Sequence, residues 1–218
     1  KTRKLTIINL SAFAVIFLIF LFWHGAFESP LSSDEVENYV TRYEEMYPEN
    51  DIDGVRTFME EDDGKPVVMV NPIKIYDTPI EVNGKNYGDS AKDALGEYMS
   101  FVSPYLIKRG SYPLYTGDSQ LPAIEYWGIE NAAEWSSVGL VRYRSRRVMM
   151  DMVTDPAFDE FHDAKIAAIE KTFSYPVTTT SSTGSLGVTV GLIILSLALA
   201  IQLLINRKNI KPGKRNEK

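Results

Sequence analysis

Two apolar runs set the frame of this 218-residue chain. From Leu5 to Phe27 no residue carries a formal charge at neutral pH, and Ala12 to Phe22 is almost wholly aliphatic or aromatic. Leu186 to Ile205 is interrupted by only three polar side chains, Thr189, Ser196 and Gln202. A bilayer core takes about 20 apolar helical residues, so both runs are expected to span. Trp23, His24 and Phe27 stand where a signal peptide carries small residues for cleavage, so the first run is read as a retained anchor.

Flanking charge orients the pair. Lys1, Arg3 and Lys4 precede the first run, and Arg207, Lys208, Lys211, Lys214, Arg215 and Lys218 follow the second. The positive-inside rule then puts both termini in the cytoplasm and the middle outside the inner (cytoplasmic) membrane. The lipid bilayer is thus the first expected partner. The middle holds 14 basic and 28 acidic residues, a net of −14 in a chain whose total is −6. Phosphate repulsion makes such a domain a poor nucleic-acid binder. There are no cysteines, and neither His24 nor His162 has a neighbour at metal-ligand spacing. The acidic run Glu60–Asp63 lacks EF-hand spacing and reads as a solvated helix end. No metal or cofactor is therefore expected.

The chain divides into an anchor (1–27), a helical leader (28–63), a mixed domain (64–178), a linker (179–185), a second span (186–206) and a basic tail (207–218). In the leader, Val36, Tyr39, Val40 and Tyr43 fall on one helix face. Val67–Ile75 reads as a central strand, covered on both faces at its start. Asn83-Gly84 is a hairpin signal. Ser90 with Asp93 resembles a capping box for a helix to about Arg109, in which Pro104 should induce a kink. Tyr112–Tyr115 and Ala123–Trp127 are strand candidates, and Asn131–Glu134 leads into a strand at Val138–Tyr143. Ser145 caps one helix and Asp155-Pro156 opens the next. Phe158, His162, Ile166 and Ile169 are predicted to share a buried face, and Phe173–Val177 closes the sheet. This order is the split βαβ or ferredoxin-like plan of an α+β domain. Its helices cover one sheet face, and Val141, Tyr143, Tyr115 and Trp127 are candidates for the other. That face needs cover from a partner or from the leader.

Several of these residues, in this order, resemble the DUF1330-like members of the dimeric α/β-barrel superfamily. They are Pro66–Asn71, Tyr98 with Pro104 and Leu106 ahead of Gly110, Tyr115 with Gly117, Leu140–Arg146, Met152 with Asp155-Pro156, and His162 ahead of Ala167-Ala168. The resemblance covers about Gly64 to Val177. It implies a ferredoxin-like fold whose sheet packs against that of a second copy. The superfamily includes cofactor-free oxygenases, isomerases and haem enzymes, and no catalytic residue carries over. The Ile80–Tyr87 insertion, the leader and the two spans depart from the usual soluble form.

Four sets of side chains are candidates for chemistry. His162 is placed as a general base near Arg142 and Arg144, or else as a core histidine bonded to a backbone carbonyl. Arg146 and Arg147 sit at a helix start, where the dipole disfavours cations, so they are candidates for an anion site or for pairing with local carboxylates. Tyr98, Tyr115, Trp127 and Tyr143 are candidates for a ligand pocket, or for plain core. Gly187 and Gly191 form a GxxxG suited to helix pairing in lipid. The expected function is a binding or assembly module, working as a homodimer or as an accessory subunit among other membrane proteins. The alternative is a small-molecule enzyme or ligand binder using the barrel pocket with His162 and Arg142 or Arg144.

Overall fold

The computed structural model describes residues 2–130, 134–181 and 184–207. Lys1, the basic tail from Lys208, the stretch Asn131–Ala133 and linker residues 182–183 lie outside the described residues. In chain order the elements are α1 (Thr2–His24), α2 (Ser33–Met46), α3 (Ile52–Glu60), β1 (Val67–Ile75), α4 (Ala91–Lys108), β2 (Tyr112–Asp118), β3 (Ser137–Tyr143), α5 (Arg146–Val153), α6 (Pro156–Ala168), β4 (Ile169–Thr172), β5 (Tyr175–Val177) and α7 (Leu186–Arg207). They form two compact units: one of residues 1–27 with 180–218, the other Glu28–Thr179.

The first unit pairs α1 with α7. Both are long and apolar enough to cross a membrane. They run antiparallel, as their contacts show: Asn9 Nδ2 donates to the Ala198 carbonyl (3.1 Å), and Gln202 Nε2 donates to Thr6 Oγ1 (2.8 Å). Gly191 faces the Phe17 ring, which a Cβ would meet at 3.5 Å, and Gly187 faces His24. The GxxxG pair thus turns toward the other helix of its own chain.

In the second unit the sheet runs β2-β3-β1-β4, with β5 beside β4 along the same edge of β1. All neighbours are antiparallel. Local signals fix the helix starts. Ser90, Ser145 and Asp155 each accept a backbone N–H from the first turn, while α2 opens on a capping box between Ser32 and Glu35. Helix α4 runs through Pro104. Asn83 and Gly84 both have positive φ, as a type I′ turn requires, but only Val82 and Lys85 pair across it. Ala123–Trp127 is not a strand. It belongs to the loop between β2 and β3, with Ile124 97% exposed.

Helices α4 and α6 cover one face of the sheet. Register sorts the strands: Val67 lies opposite Tyr143, Met69 opposite Val141 and Asn71 opposite Gly139. Val67 and Tyr143 pack with Val102, Tyr105, Leu106, Met152 and Phe158, and Met69 and Val141 adjoin them. Val141 and Tyr143 therefore face the helices, contrary to the sequence expectation. The face of the other parity is closed at one end, where Val68 and Arg142 are buried, and uncovered along the rest, with Val70, Pro72, Val138 and Leu140 half-buried and Tyr115 and Tyr175 exposed. In α6 the buried residues are Phe158, Ala164, Ala167 and Ala168; Ile166 is exposed, and Ile169 already belongs to β4. The predicted Phe158–Ile169 stripe fails on two counts: Ile166 lies on an exposed side of α6, and the helix ends before Ile169.

The leader does not lie over the uncovered sheet face. It packs on α5, where Val36, Tyr39, Val40 and Met59 surround Met150. The Tyr39 hydroxyl donates to Asp151 (2.5 Å), Arg42 to the Thr154 carbonyl (2.6 Å) and the Tyr47 hydroxyl to the Val153 carbonyl (3.2 Å). The leader's first residues pass so close to Gly64 that a Cβ there would lie 2.9 Å from the Ser29 carbonyl carbon; Gly64 also has φ +73°.

Candidate functional site

The fold-back of the leader leaves a hollow of about 530 Å³. Tyr43 of α2 and Tyr47 just after it, Phe58 of α3, Met149 and Met152 of α5, and His162 and Lys165 of α6 contribute to its wall, and Met69, Asn71 and Tyr143 form its floor. A second hollow of about 540 Å³ lies between α4 and the sheet, lined by Leu95, Val102 and Val141 among others. Asn71, Tyr98, Tyr143, Lys165 and Ser174 line both. They form the junction where the two hollows meet.

The junction is built from several elements. Asn71 is held by its own strand and the next, donating to the Met69 (3.0 Å) and Gly139 (3.2 Å) carbonyls, while Ser174 Oγ donates to its Oδ1 (2.6 Å). Lys165 sits one turn beyond His162 and reaches over the Tyr98 ring, its Nζ 5.8 Å from the centroid. Burial pulls its pKa below the ordinary lysine value. Burial likewise raises the phenols of Tyr98 and Tyr143 above theirs.

His162 lines the first hollow, stacked on Phe158 (5.4 Å between ring centroids) and edge-on to Tyr47 (5.7 Å). Burial, helped by the charge of Lys165, lowers its pKa to about 4, so the imidazole is neutral at physiological pH. Among the described residues it has ring contacts and no hydrogen bond, so neither the carbonyl bond expected of a core histidine nor a hydroxyl to activate is present.

The arginines stand elsewhere. Arg142 is buried, donates to the Gly110 carbonyl (3.0 Å) and lies over Tyr112. Arg144 binds Glu28 through Nε (2.7 Å) and Nη2. Arg146 binds the Phe58 carbonyl and lies 3.7 Å from Asp62. Arg147 forms a fork with Glu35 (2.8 and 3.2 Å) and adds the Ser29 and Pro30 carbonyls. Glu35 is held at about 2, first by the hydrogen bond from Arg147. These carboxylates all come from the leader, so Arg144, Arg146 and Arg147 fasten it to the domain. None of the four arginines lines either hollow.

Of the four aromatic candidates, the structure brings Tyr98 and Tyr143 together at the junction. Tyr115 lies on the uncovered face across Gly117, and Trp127, 83% exposed, stands in the β2–β3 loop. Lys165 was not predicted. Its signal was present, because a charged residue interrupts the stripe that runs from Phe158 through His162. Among the described residues no cluster of three potential metal ligands occurs.

No family model matches the chain, and no curated protein matches it. Two solved structures are similar in fold. One is methylated RPA0582, 17% identical with a TM-score of 0.52, the match covering 62% of this chain and 96% of that one. The other is RPA0582, a protein of unknown function from Rhodopseudomonas palustris, 16% identical with a TM-score of 0.51, covering 62% and 97%. At this identity the likeness concerns the α+β fold alone.

Proposed function

We propose that this chain is a membrane-anchored binding module. Two spans hold an extracytoplasmic domain at the inner membrane with both termini cytoplasmic, and the domain captures a small molecule in the hollow beneath its leader. The observation that carries this reading is the unfilled space between sheet and helices. Two adjoining hollows of about 530 and 540 Å³, both partly open to solvent, meet at shared polar side chains. That size suits a small organic ligand. The test is mass spectrometry of small molecules extracted from the folded full chain in mild detergent. Met69→Trp, which fills the floor of the hollow, should remove the bound compound and leave the circular dichroism unchanged. Equal recovery from both proteins would reject the site.

The domain is further read as ferredoxin-like and as similar to the DUF1330-like dimeric barrels. In support, the strand order is β2-β3-β1-β4, all neighbours are antiparallel, and helical connections join β1 to β2 and β3 to β4. The uncovered face, with Leu140, Val70, Tyr115 and Tyr175, is then the seat of a second copy. Leu140→Glu should convert a dimer of the full chain into monomers in analytical ultracentrifugation. An unchanged sedimentation coefficient would remove this face from the assembly.

A further inference from the structure

Resting on the reading of the hollow as a binding site, we propose that its ligand is an organic anion, a carboxylate with an apolar or aromatic body, whose charged end pairs with Lys165. The first argument is placement. Lys165 lies on the face of α6 that turns toward the sheet, at the junction where the two hollows meet. Lysine stems commonly run along apolar surface to carry the ammonium into water; here the ammonium is directed instead into the interior layer, over the ring of Tyr98.

The second argument is the missing counter-charge. The domain is rich in carboxylates, and its half-buried arginines use them: Arg144 takes Glu28, Arg146 takes Asp62 and Arg147 takes Glu35. Exposed lysines do the same, Lys65 with Asp63 and Lys85 with Glu97. Lys165 has no ion pair and no hydrogen bond among the described residues, and desolvation alone accounts for its lowered pKa. Asp51, which lines the first hollow, is engaged as the cap of α3, accepting from Gly54 N at 2.9 Å. Asp118 lines the second hollow from the far end of β2 and does not pair with Lys165. A cation taken out of water without a partner is costly. A ligand carboxylate would supply the partner.

The third argument is the remaining chemistry of the junction. The hydroxyls of Tyr98 and Tyr143 have no hydrogen-bond partner among the described residues, and both side chains line both hollows. With their pKa values raised they remain protonated and able to donate to an anion. Asn71 is already committed to the sheet and to Ser174, so it shapes the junction without offering its amide. Met69, Met149, Met152 and Phe158 provide a pliable apolar wall for the ligand body.

The experiment compares two probes of one shape on the full chain in detergent: 4-(trifluoromethyl)phenylacetate and its neutral amide, followed by 19F NMR line broadening. The acid is expected to bind at least tenfold more tightly than the amide. Lys165→Met should bring the acid down to the amide's affinity, leave the amide unchanged and leave the thermal midpoint equal or higher, since it removes an unpaired, half-buried cation. Lys165→Arg should retain preference for the acid. Equal binding of acid and amide, with Lys165→Met altering neither, overturns the anion assignment while the hollow remains a binding site. Binding of neither probe to the wild type overturns both readings together.

Discussion

His162 illustrates how one side chain carries a pH dependence for the whole domain. Its folded pKa of about 4 lies below the ordinary value of 6.5, so the unfolded chain takes up the proton first. Its contribution to stability is therefore full above pH 6.5, declines as pH falls toward 4, and is constant below that. We expect denaturant midpoints to fall across this window by an amount equivalent to about 1–2 kcal/mol, reduced from the full shift because the ring is only half-buried. His162→Phe should flatten that segment of the profile. Glu35, held at about 2, loses its contribution only as pH falls below its ordinary range, which separates the two. A second residue-scale prediction concerns Gly64. Its positive φ and the close approach of the Ser29 backbone leave no room for a side chain, so Gly64→Ala should destabilise by about 1–3 kcal/mol in chemical melts.

Among the elements, the leader differs most from what its own sequence announces. Its helices are legible: Val36, Tyr39 and Val40 mark a buried face, and the caps lie in the local sequence. What they pack against is not legible, because Tyr39–Asp151 and Arg42–Thr154 join residues 112 positions apart. The hollow was therefore hidden, since it exists only once the leader has docked on α5. The same gap explains the misplaced sheet face. Alternation separates Val141 and Tyr143 from Leu140 and Arg142, but only the covering helices decide which set is inside. Ala123–Trp127 has strand-like composition and stays in the loop, where no neighbouring strand pairs with it. Caps at Ser90, Ser145 and Asp155 were readable because capping depends on a few adjacent residues. The leader's attachment is testable. Arg144→Ala with Arg147→Ala removes the arginines from Glu28 and Glu35, the latter keeping its bonds from Ser32; the loss should cost about 1–3 kcal/mol at the mostly buried Glu28 and about 0–1 kcal/mol at the more exposed Glu35. Hydrogen exchange should then speed up in α2 and α3 while β1 and β3 stay protected.

For the whole molecule, the two apolar helices were plain in the sequence, because twenty apolar residues in a row have few other uses. Their pairing rests on Asn9, Gln202 and Thr6, polar side chains whose partners could not be assigned from one helix alone. Flanking charge sets the expected orientation. Protease added to intact spheroplasts should digest the segment 28–179 and spare both tails; digestion of the tails alone would reverse the assignment.

The chain enters and leaves the domain at one end of the sheet. Glu28 is bound to Arg144, next in line after β3, while Val177 pairs with Val68, which in turn pairs with Arg142. The β2–β3 loop closes the opposite end, where Asp118 meets Ser137. Neighbouring ends make the domain portable. Segment 28–179 should fold when grafted by short Gly/Ser joints into a surface loop of an unrelated soluble host, and a gene in which those ends are fused and the chain is reopened at Ile124 should encode the same sheet in a new order.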